Sequence, residues 1–376
     1  MCKQLIILFV IVLLLAACGG SVTPTPEPAG EAASPAPETT AVTEPAATAP
    51  AEAAATEATG TEGAELQRVR VGIVPVTIYA PLYIALDKGY FAEEGLQVEL
   101  MPVQGGTENV VQVAAGNFEV AGGGIGAGLL NAAARGVEFT IVAPLHTERP
   151  PLTSPFVVSK ARFDSGELTQ MSDLAGKTVS TNAKGAATEY WLWSALQQGG
   201  LDFPDVTVTG VGFREVPAAL ESGTLDGAIL GEPLVTLAEQ QGLVARLSED
   251  FIDSFTSTVI YFNHEWAEAN PELAQGFVTA YLRGARDLNG EQWDDEENLA
   301  IIEKHTGVPA AVVAAANRSY HDPNGAVPVE DLQTLQEFFM SQGELSYEEP
   351  LDLAPFIDTS YAENAVEALG GPVEWE

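Results

Sequence analysis

Short apolar runs alternate with helical segments through most of this chain, and this alternation restricts the fold more than any other feature. "RVRVGIVPV", from Arg68, predicts a strand, and "APLYIALDKGYF" predicts a helix that begins near Pro81. The order then repeats, with strands predicted at "LQVELMPV", "FEVAGGGIG" and "FTIVAPL" and helical segments between them. This βαβ order predicts the α/β class, with a mostly parallel sheet covered by helices.

The alternation begins again after residue 156 and predicts a second, smaller α/β unit. Strands are predicted at "GKTVSTN", "VTVTGV" and "LDGAILGEP", and "TSTVIYFNHEW" predicts a strand that returns to the first unit. We therefore expect two α/β lobes with a ligand cleft between them. Lobe one is predicted at 66–156 and again at 257–376, which includes C-terminal helices, and lobe two at 157–256.

Residues 1–17 have the pattern of a secretory signal. Lys3 precedes the apolar run Leu5–Ala17, which is shorter than the roughly 20 residues that span a membrane. "LAAC" resembles a bacterial lipobox, which implies cleavage before Cys18 and lipidation of Cys18; an ordinary signal peptide with a chance cysteine is the alternative. We expect an extracytoplasmic protein that a lipid on Cys18 anchors to the cell membrane.

Residues 18–65 consist mainly of Ala, Pro, Thr, Glu, Ser and Gly, without aromatic residues or apolar periodicity. Such a segment buries too little to offset the entropy of ordering, so it is predicted to be a disordered tether. A tether on a membrane surface suits a binding protein and an enzyme equally. It therefore predicts where the protein is located and does not predict its activity.

Composition argues against several classes of function. The formal net charge of -37, from 53 acidic and 16 basic residues, disfavours nucleic-acid binding. Cys2 and Cys18 both precede the predicted lobes, and the four histidines lack metal-ligand spacing. "GGGIGAG" matches a dinucleotide-binding pattern only loosely, and no P-loop or GxSxG nucleophile motif occurs. We therefore expect no metal, no cofactor and no enzymatic activity.

Four loops at predicted strand ends carry the candidate ligand-binding residues. In open α/β sheets, ligands bind beyond the carboxyl ends of strands and beside helix N-termini, so we expect the N–H groups near Pro81 to face a ligand. Glycines allow close approach, hydroxyls donate, and aromatic rings stack. The alternatives are plain turns or helix caps, and for Glu232 a hydrogen bond to its own turn. The candidates are Thr77, Tyr79, Gly106, Thr107, Gly124, Ile125, Gly185, Ala186, Thr188, Tyr190, Phe213 and Glu232.

Four stretches, in order, carry a family resemblance: "APLYIALDKGYFAEEGLQVEL", "GGTENVVQVAAGNFEVA", "DLAGKTVSTNAKGAATEYWLWSALQQGGLDFPDVTV" and "AALESGTLDGAILGEP". Together they resemble the periplasmic-binding family for sulfonate, nitrate, taurine and thiamine-pyrimidine precursors, which includes riboflavin-binding members. No single motif is decisive. The resemblance implies a type II periplasmic-binding fold, acting as a monomer, that delivers a small solute to the permease and ATPase subunits of an ABC importer.

The residues near the expected cleft favour an uncharged ligand. Basic residues there are limited to Lys184, Arg214 and Arg149, whereas an anion site favours basic surroundings. With the aromatic candidates, this predicts a heteroaromatic, vitamin-like solute such as riboflavin or a thiamine-pyrimidine precursor. A sulfonate, taurine or nitrate is the alternative.

An enzyme on the cell surface is the alternative from another class. It would need an acid–base pair such as His146 with Glu148 or Glu232 with Lys184, and neither pair matches a reaction-specific pattern. The family also includes pyrimidine synthases that carry iron and a cysteine cluster. Because the predicted lobes contain no cysteine, that chemistry is not expected here.

Overall fold

A computed structural model describes residues 65–103 and 106–375. The predicted signal segment 1–17, Cys18 and residues 18–64 of the predicted tether lie outside the described residues. No helix in the described ranges is both long enough and apolar enough to cross a membrane.

The described residues form ten strands in two sheets. The order in sheet one is β2-β1-β3-β10-β4 and in sheet two β7-β6-β8-β5-β9. The strands are β1 (Gln67–Ile73), β2 (Leu96–Pro102), β3 (Val120–Gly124), β4 (Phe139–Glu148), β5 (Phe156–Ser159), β6 (Thr178–Thr181), β7 (Thr207–Gly210), β8 (Gly227–Ile229), β9 (Val244–Ser248) and β10 (Phe255–Asn263).

Helices cover both sheets, as the alternating sequence predicts. Most of those after β10 pack around sheet one; α10, for example, packs against α1 and α14. The helices are α1 (Ala80–Asp87), α2 (Tyr90–Glu93), α3 (Gly106–Ala114), α4 (Ala127–Ala134), α5 (Lys160–Asp164), α6 (Thr188–Gln198), α7 (Val216–Glu221), α8 (Leu234–Gln240), α9 (His264–Ala269), α10 (Pro271–Arg286), α11 (Glu296–Thr306), α12 (Ala310–Ala315), α13 (Val329–Ser341) and α14 (Ser360–Ala368).

Each sheet contains one strand that runs against its two neighbours, so the sheets are mixed. β1 is parallel to β2 and β3, but β10 is antiparallel to both β3 and β4. In sheet two, β6 is parallel to β7 and β8, whereas β5 is antiparallel to β8 and β9. The reason is the path of the chain: β4 leaves sheet one towards sheet two, and β10 returns in the opposite direction.

We use lobe one for the residues around sheet one and lobe two for those around sheet two. Phe156 begins a strand of sheet two, and Phe255 begins the strand that returns to sheet one. One buried apolar cluster contains residues of both lobes, including Ile125 of lobe one and Trp191 of lobe two. The lobes therefore share part of their core at the point where the cleft forms.

Candidate ligand cleft

A cleft between the lobes contains about 800 Å³ of space outside protein atoms, part of it open to solvent. The carboxyl ends of β1, β3 and β4 lie on one side, and the loops after β6 and β8 lie on the other. The lining residues are Val74, Val76, Ile78, Tyr79, Val110, Gly124, Gly126, Gly128, Leu129, His146, Glu148, Thr153, Ser154, Asn182, Ala186, Ala187, Thr188, Trp191, Phe213, Gly231, Glu232, Ser257 and Thr258.

Half of the residues predicted from the sequence line this cleft. Those six are Tyr79, Gly124, Ala186, Thr188, Phe213 and Glu232. Of the others, Thr77, Ile125, Gly185 and Tyr190 contact other parts of the protein, and Gly106 and Thr107 begin α3.

Three N–H groups at the start of α1 are bonded within the protein, whereas we expected the N–H groups here to face a ligand. A 3-10 turn at Thr77–Tyr79 precedes the helix, and its geometry uses these groups internally. The Thr77 N–H donates to the Glu232 carbonyl at 3.2 Å, and the Tyr79 N–H donates to Val76 at 3.3 Å. Ala80 N–H donates to the Thr77 carbonyl. Thr77 thus joins lobe one to lobe two through the protein backbone.

The glycine-rich turn after β3 approaches the opposite lobe closely. Ala127 N–H donates to the Gly185 carbonyl at 2.9 Å, and this hydrogen bond crosses between the lobes. A Cβ atom at Gly124 would lie 2.8 Å from the Ala187 Cβ, and one at Gly126 would overlap the Gly185 carbonyl oxygen. Small residues here therefore make room for the second lobe, which is a different use from the ligand approach that we expected.

Glu232 has protein partners on both carboxylate oxygens. It accepts from the Thr236 N–H at 3.1 Å and the Thr236 hydroxyl at 3.0 Å, at the start of α8. The Arg246 guanidinium lies 2.6 Å away, and the Asn317 N–H donates at 3.2 Å. This geometry matches the alternative of a hydrogen bond to its own turn. Its carboxylate has no need of a ligand donor.

Tyr190 lies in an aromatic cluster outside the cleft, next to Phe255, Trp193 and Phe338, with ring centroids 4.9, 5.8 and 5.3 Å away. Its neighbour Trp191 lines the cleft instead. Successive helical residues point about 100° apart, so only one of the pair faces the ligand space. The sequence shows aromatic residues at both positions and gives no signal that selects between them.

Two other rings form the apolar walls. The Tyr79 hydroxyl donates to the Gly122 carbonyl at 2.7 Å, which fixes the ring, and burial raises the pKa of this phenol. Phe213 packs over Gly231, where a Cβ atom would lie 3.1 Å from the ring. Tyr79 and Phe213 thus contribute apolar ring surface to the cleft wall.

A buried polar group occupies the lobe-one side of the cleft. His146 Nδ1 lies 2.5 Å from Thr258 Oγ1, and Nε2 lies 3.4 Å from a Glu148 oxygen. Glu148 accepts from the Thr153 N–H and hydroxyl, both at 2.8 Å. Burial acts to raise the pKa of Glu148, but the adjacent His146 imidazole and the hydrogen bonds from Thr153 outweigh burial and lower it. Glu148 is therefore ionised at neutral pH.

None of the cleft-lining residues in the described part of the chain is Lys or Arg. Lys184 lies at a separate surface pocket, and Arg214 donates to the Thr306 carbonyl at 3.2 Å. Arg149 stacks over the Tyr320 and Trp375 rings, 5.0 and 4.1 Å from their centroids. Within the described residues, the cleft therefore offers no lysine or arginine for an anion to pair with.

Of the two acid–base pairs that an enzyme would need, the structure brings together one and separates the other. Glu232 pairs with Arg246 rather than Lys184. His146 and Glu148 do lie together, but both Glu148 oxygens already accept from Thr153. Among the residues that the structure describes, no three His, Cys, Asp or Glu side chains are placed to hold a metal ion.

A model of the NMT1-like family matches residues 62–303. The chain belongs to the NMT1-like family. A riboflavin-binding protein of Chloroflexus aurantiacus is 27% identical over 285 residues, covering 74% of this chain and 71% of the relative. A formylaminopyrimidine-binding protein of Halalkalibacterium halodurans is 24% identical over 287 residues, covering 73% and 83%.

Solved structures confirm the predicted periplasmic-binding fold. The alkanesulfonate-binding protein of Xanthomonas axonopodis pv. citri, bound to MOPS, matches with a TM-score of 0.64 at 18% identity. The match covers 79% of this chain and 99% of that protein. The family resemblance seen in the sequence is likewise confirmed by these relatives.

Proposed function

We propose that this protein is the solute-binding component of an ABC importer, and that its ligand is an uncharged heteroaromatic compound such as riboflavin or a thiamine-pyrimidine precursor. The ligand binds between the lobes, and the loaded protein then delivers it to permease and ATPase subunits. The periplasmic-binding fold and the names of the relatives support the transport role.

The chemistry of the cleft walls carries the choice of ligand. Tyr79, Trp191 and Phe213 supply ring surfaces, and no lining residue in the described ranges is lysine or arginine. A sulfonate or nitrate would lose its hydration shell beside the ionised Glu148 without gaining a positive partner, which is unfavourable. An uncharged ring gains stacking and apolar contact without this cost. A sulfonate, taurine or nitrate ligand is therefore the less favoured alternative.

A binding role also fits the polar groups better than catalysis does. Each Glu148 oxygen accepts a hydrogen bond from Thr153, which holds the carboxylate in place and lowers its basicity, and this suits a structural group better than a general base. We therefore propose that the ligand leaves the cleft chemically unchanged. The family fold alone does not decide this point, because one fold hosts many functions.

We further propose that Cys18 carries a lipid anchor and that the segment up to residue 65 tethers the lobes outside the cytoplasmic membrane. The lipobox-like "LAAC" supports the anchor. Metabolic labelling with a radioactive fatty acid tests it. Cys18→Ser is expected to abolish labelling; labelling that persists in this variant contradicts the anchor.

Thermal unfolding with a ligand panel tests the proposed function. A ligand that binds only the folded state stabilises it by about 2.7 kcal/mol at 100 times its dissociation constant. We expect riboflavin or formylaminopyrimidine to raise the melting temperature, and taurine, an alkanesulfonate and nitrate to leave it unchanged. A shift with the anions alone would keep the importer role and reverse the ligand choice. No shift with any of the five would contradict both.

A further inference from the structure

Two buried polar atoms of the cleft lack a hydrogen-bond partner. In the described part of the chain, seven buried side-chain polar atoms have no partner, and two of these, Trp191 Nε1 and His146 Nε2, belong to residues that line the cleft. Trp191 is 2% exposed and His146 is 3% exposed. Because an unbonded buried polar atom costs free energy, its position in a binding cleft marks a place where a ligand completes the bond.

The surroundings of His146 determine which nitrogen carries the proton. Nε2 faces a carboxylate oxygen of Glu148 at 3.4 Å, while Nδ1 lies 2.5 Å from the Thr258 hydroxyl. A lone pair on Nε2 would be repelled by the carboxylate, so Nε2 is protonated and Nδ1 accepts from Thr258. At 3.4 Å the contact with Glu148 is longer than a normal N–H···O hydrogen bond. The Nε2–H group therefore makes only this long contact, and a ligand acceptor at normal hydrogen-bond distance would compete with Glu148 for it.

Both groups are hydrogen-bond donors. An indole N–H only donates, and the His146 Nε2–H also donates, so the ligand must supply acceptors. The two donors come from opposite sides, since Trp191 is on α6 of lobe two and His146 is on β4 of lobe one. A ligand that bonds to both therefore joins the lobes.

We propose that Trp191 and His146 are the specificity-determining donors of this cleft, and that its ligand is an uncharged ring with at least two hydrogen-bond acceptors, such as ring carbonyls or ring nitrogens. This inference rests on the proposed function and narrows its ligand class. Rings that carry only donors at their edges, or none, are rejected because both buried N–H groups stay unbonded.

Calorimetric titration of the full-length protein with riboflavin tests the role of Trp191. Trp191→Phe removes the N–H group and keeps an aromatic ring, and we expect riboflavin to bind about 5- to 150-fold more weakly. Trp193→Phe is the matched control, because Trp193 is on the same helix but packs against Tyr190 and Phe338 outside the cleft. Its riboflavin affinity should equal that of the wild type. Melting curves of the ligand-free variants check that each one folds.

A second pair of variants tests His146. Gln places an N–H donor near the position of Nε2, whereas Leu removes it, so His146→Gln should retain more riboflavin affinity than His146→Leu. 5-Deazariboflavin, in which one ring nitrogen acceptor becomes C–H, checks the acceptor requirement. If that nitrogen bonds to one of the two donors, deaza substitution and removal of that donor each weaken binding by breaking the same hydrogen bond. The two losses of binding free energy are then not additive when the changes are combined.

The outcomes separate this inference from the proposed function. Unchanged riboflavin affinity in both Trp191→Phe and His146→Leu overturns the inference and leaves the importer role intact. Wild-type protein that binds taurine or an alkanesulfonate, but neither riboflavin nor formylaminopyrimidine, overturns both the inference and the uncharged ligand. Wild-type protein that binds none of these compounds overturns the inference together with the proposed function.

Discussion

Replacement of Gly126 by alanine should weaken ligand binding by holding the lobes apart. The added Cβ would overlap the Gly185 carbonyl oxygen on lobe two and lie 3.3 Å from the Ala186 Cα. The backbone at Gly126 is extended, with φ -106° and ψ 176°, so alanine fits there without strain. The substitution therefore acts mainly on the contact between the lobes and leaves each lobe intact.

The expected magnitude follows from two contributions. Separation of the lobes breaks the hydrogen bond from the Ala127 N–H to the Gly185 carbonyl, which is worth about 0.5–1.5 kcal/mol. Accommodation of the methyl group in a packed contact costs about 1–3 kcal/mol. Together they predict a loss of about 1.5–4.5 kcal/mol in binding free energy, or roughly 12- to 1600-fold in affinity, because each 1.4 kcal/mol is tenfold.

Calorimetry and small-angle X-ray scattering measure the two consequences of Gly126→Ala. The variant should bind more weakly, and its radius of gyration should shrink less on addition of ligand than that of the wild type. Ala134→Leu is the control, because Ala134 is exposed on the same helix, α4, and leucine favours helices. Wild-type affinity in Gly126→Ala would refute the argument that this turn forms a lobe contact needed for binding.

Three further predictions concern buried groups. Burial and the nearby Glu344 carboxylate raise the pKa of Glu189 to about 7, despite an opposing backbone hydrogen bond, so the melting temperature should fall as pH rises from about 5 to 8. Glu344→Gln should reduce this fall. A pH profile of the melting temperature that is unchanged in the variant would contradict the pairing of the two carboxyl groups. Arg246→Met leaves the buried Glu232 carboxylate without its charged partner and should destabilise the fold by about 3–5 kcal/mol in urea unfolding. A loss below about 1 kcal/mol would show that the hydrogen bonds from Thr236 and Asn317 satisfy the carboxylate without Arg246. Tyr79→Phe removes a buried hydrogen bond and should cost about 0.5–1.5 kcal/mol of unfolding free energy, so equal stability would contradict that bond.

Strand and helix periodicity predicted the α/β class and the two sheets, because apolar spacing is a local property of the sequence. The direction of β10 within sheet one was not predicted. A strand's direction depends on the path by which the chain re-enters the sheet, and the apolar run in "TSTVIYFNHEW" is the same for either direction.

Side-chain roles in the cleft were only partly predictable. A glycine in a turn indicates that another group approaches the backbone closely. The sequence does not show whether that group belongs to a ligand or to the other lobe, and at Gly124 and Gly126 it belongs to the other lobe. The partner of Glu232, Arg246, comes from β9 and is positioned only by folding. Trp191 and Tyr190 are both aromatic, and only the rotation of α6 about its own axis in the folded protein places Trp191 in the cleft.

The most direct test of the central claim is equilibrium dialysis of the protein against riboflavin and formylaminopyrimidine, followed by mass spectrometry of the recovered compound. This measurement gives the amount bound and its chemical identity together. We predict that at least one of the two binds at one molecule per chain and is recovered unchanged. Recovery of a chemically altered compound would contradict a pure binding role, and failure of both to bind would contradict the uncharged heteroaromatic ligand.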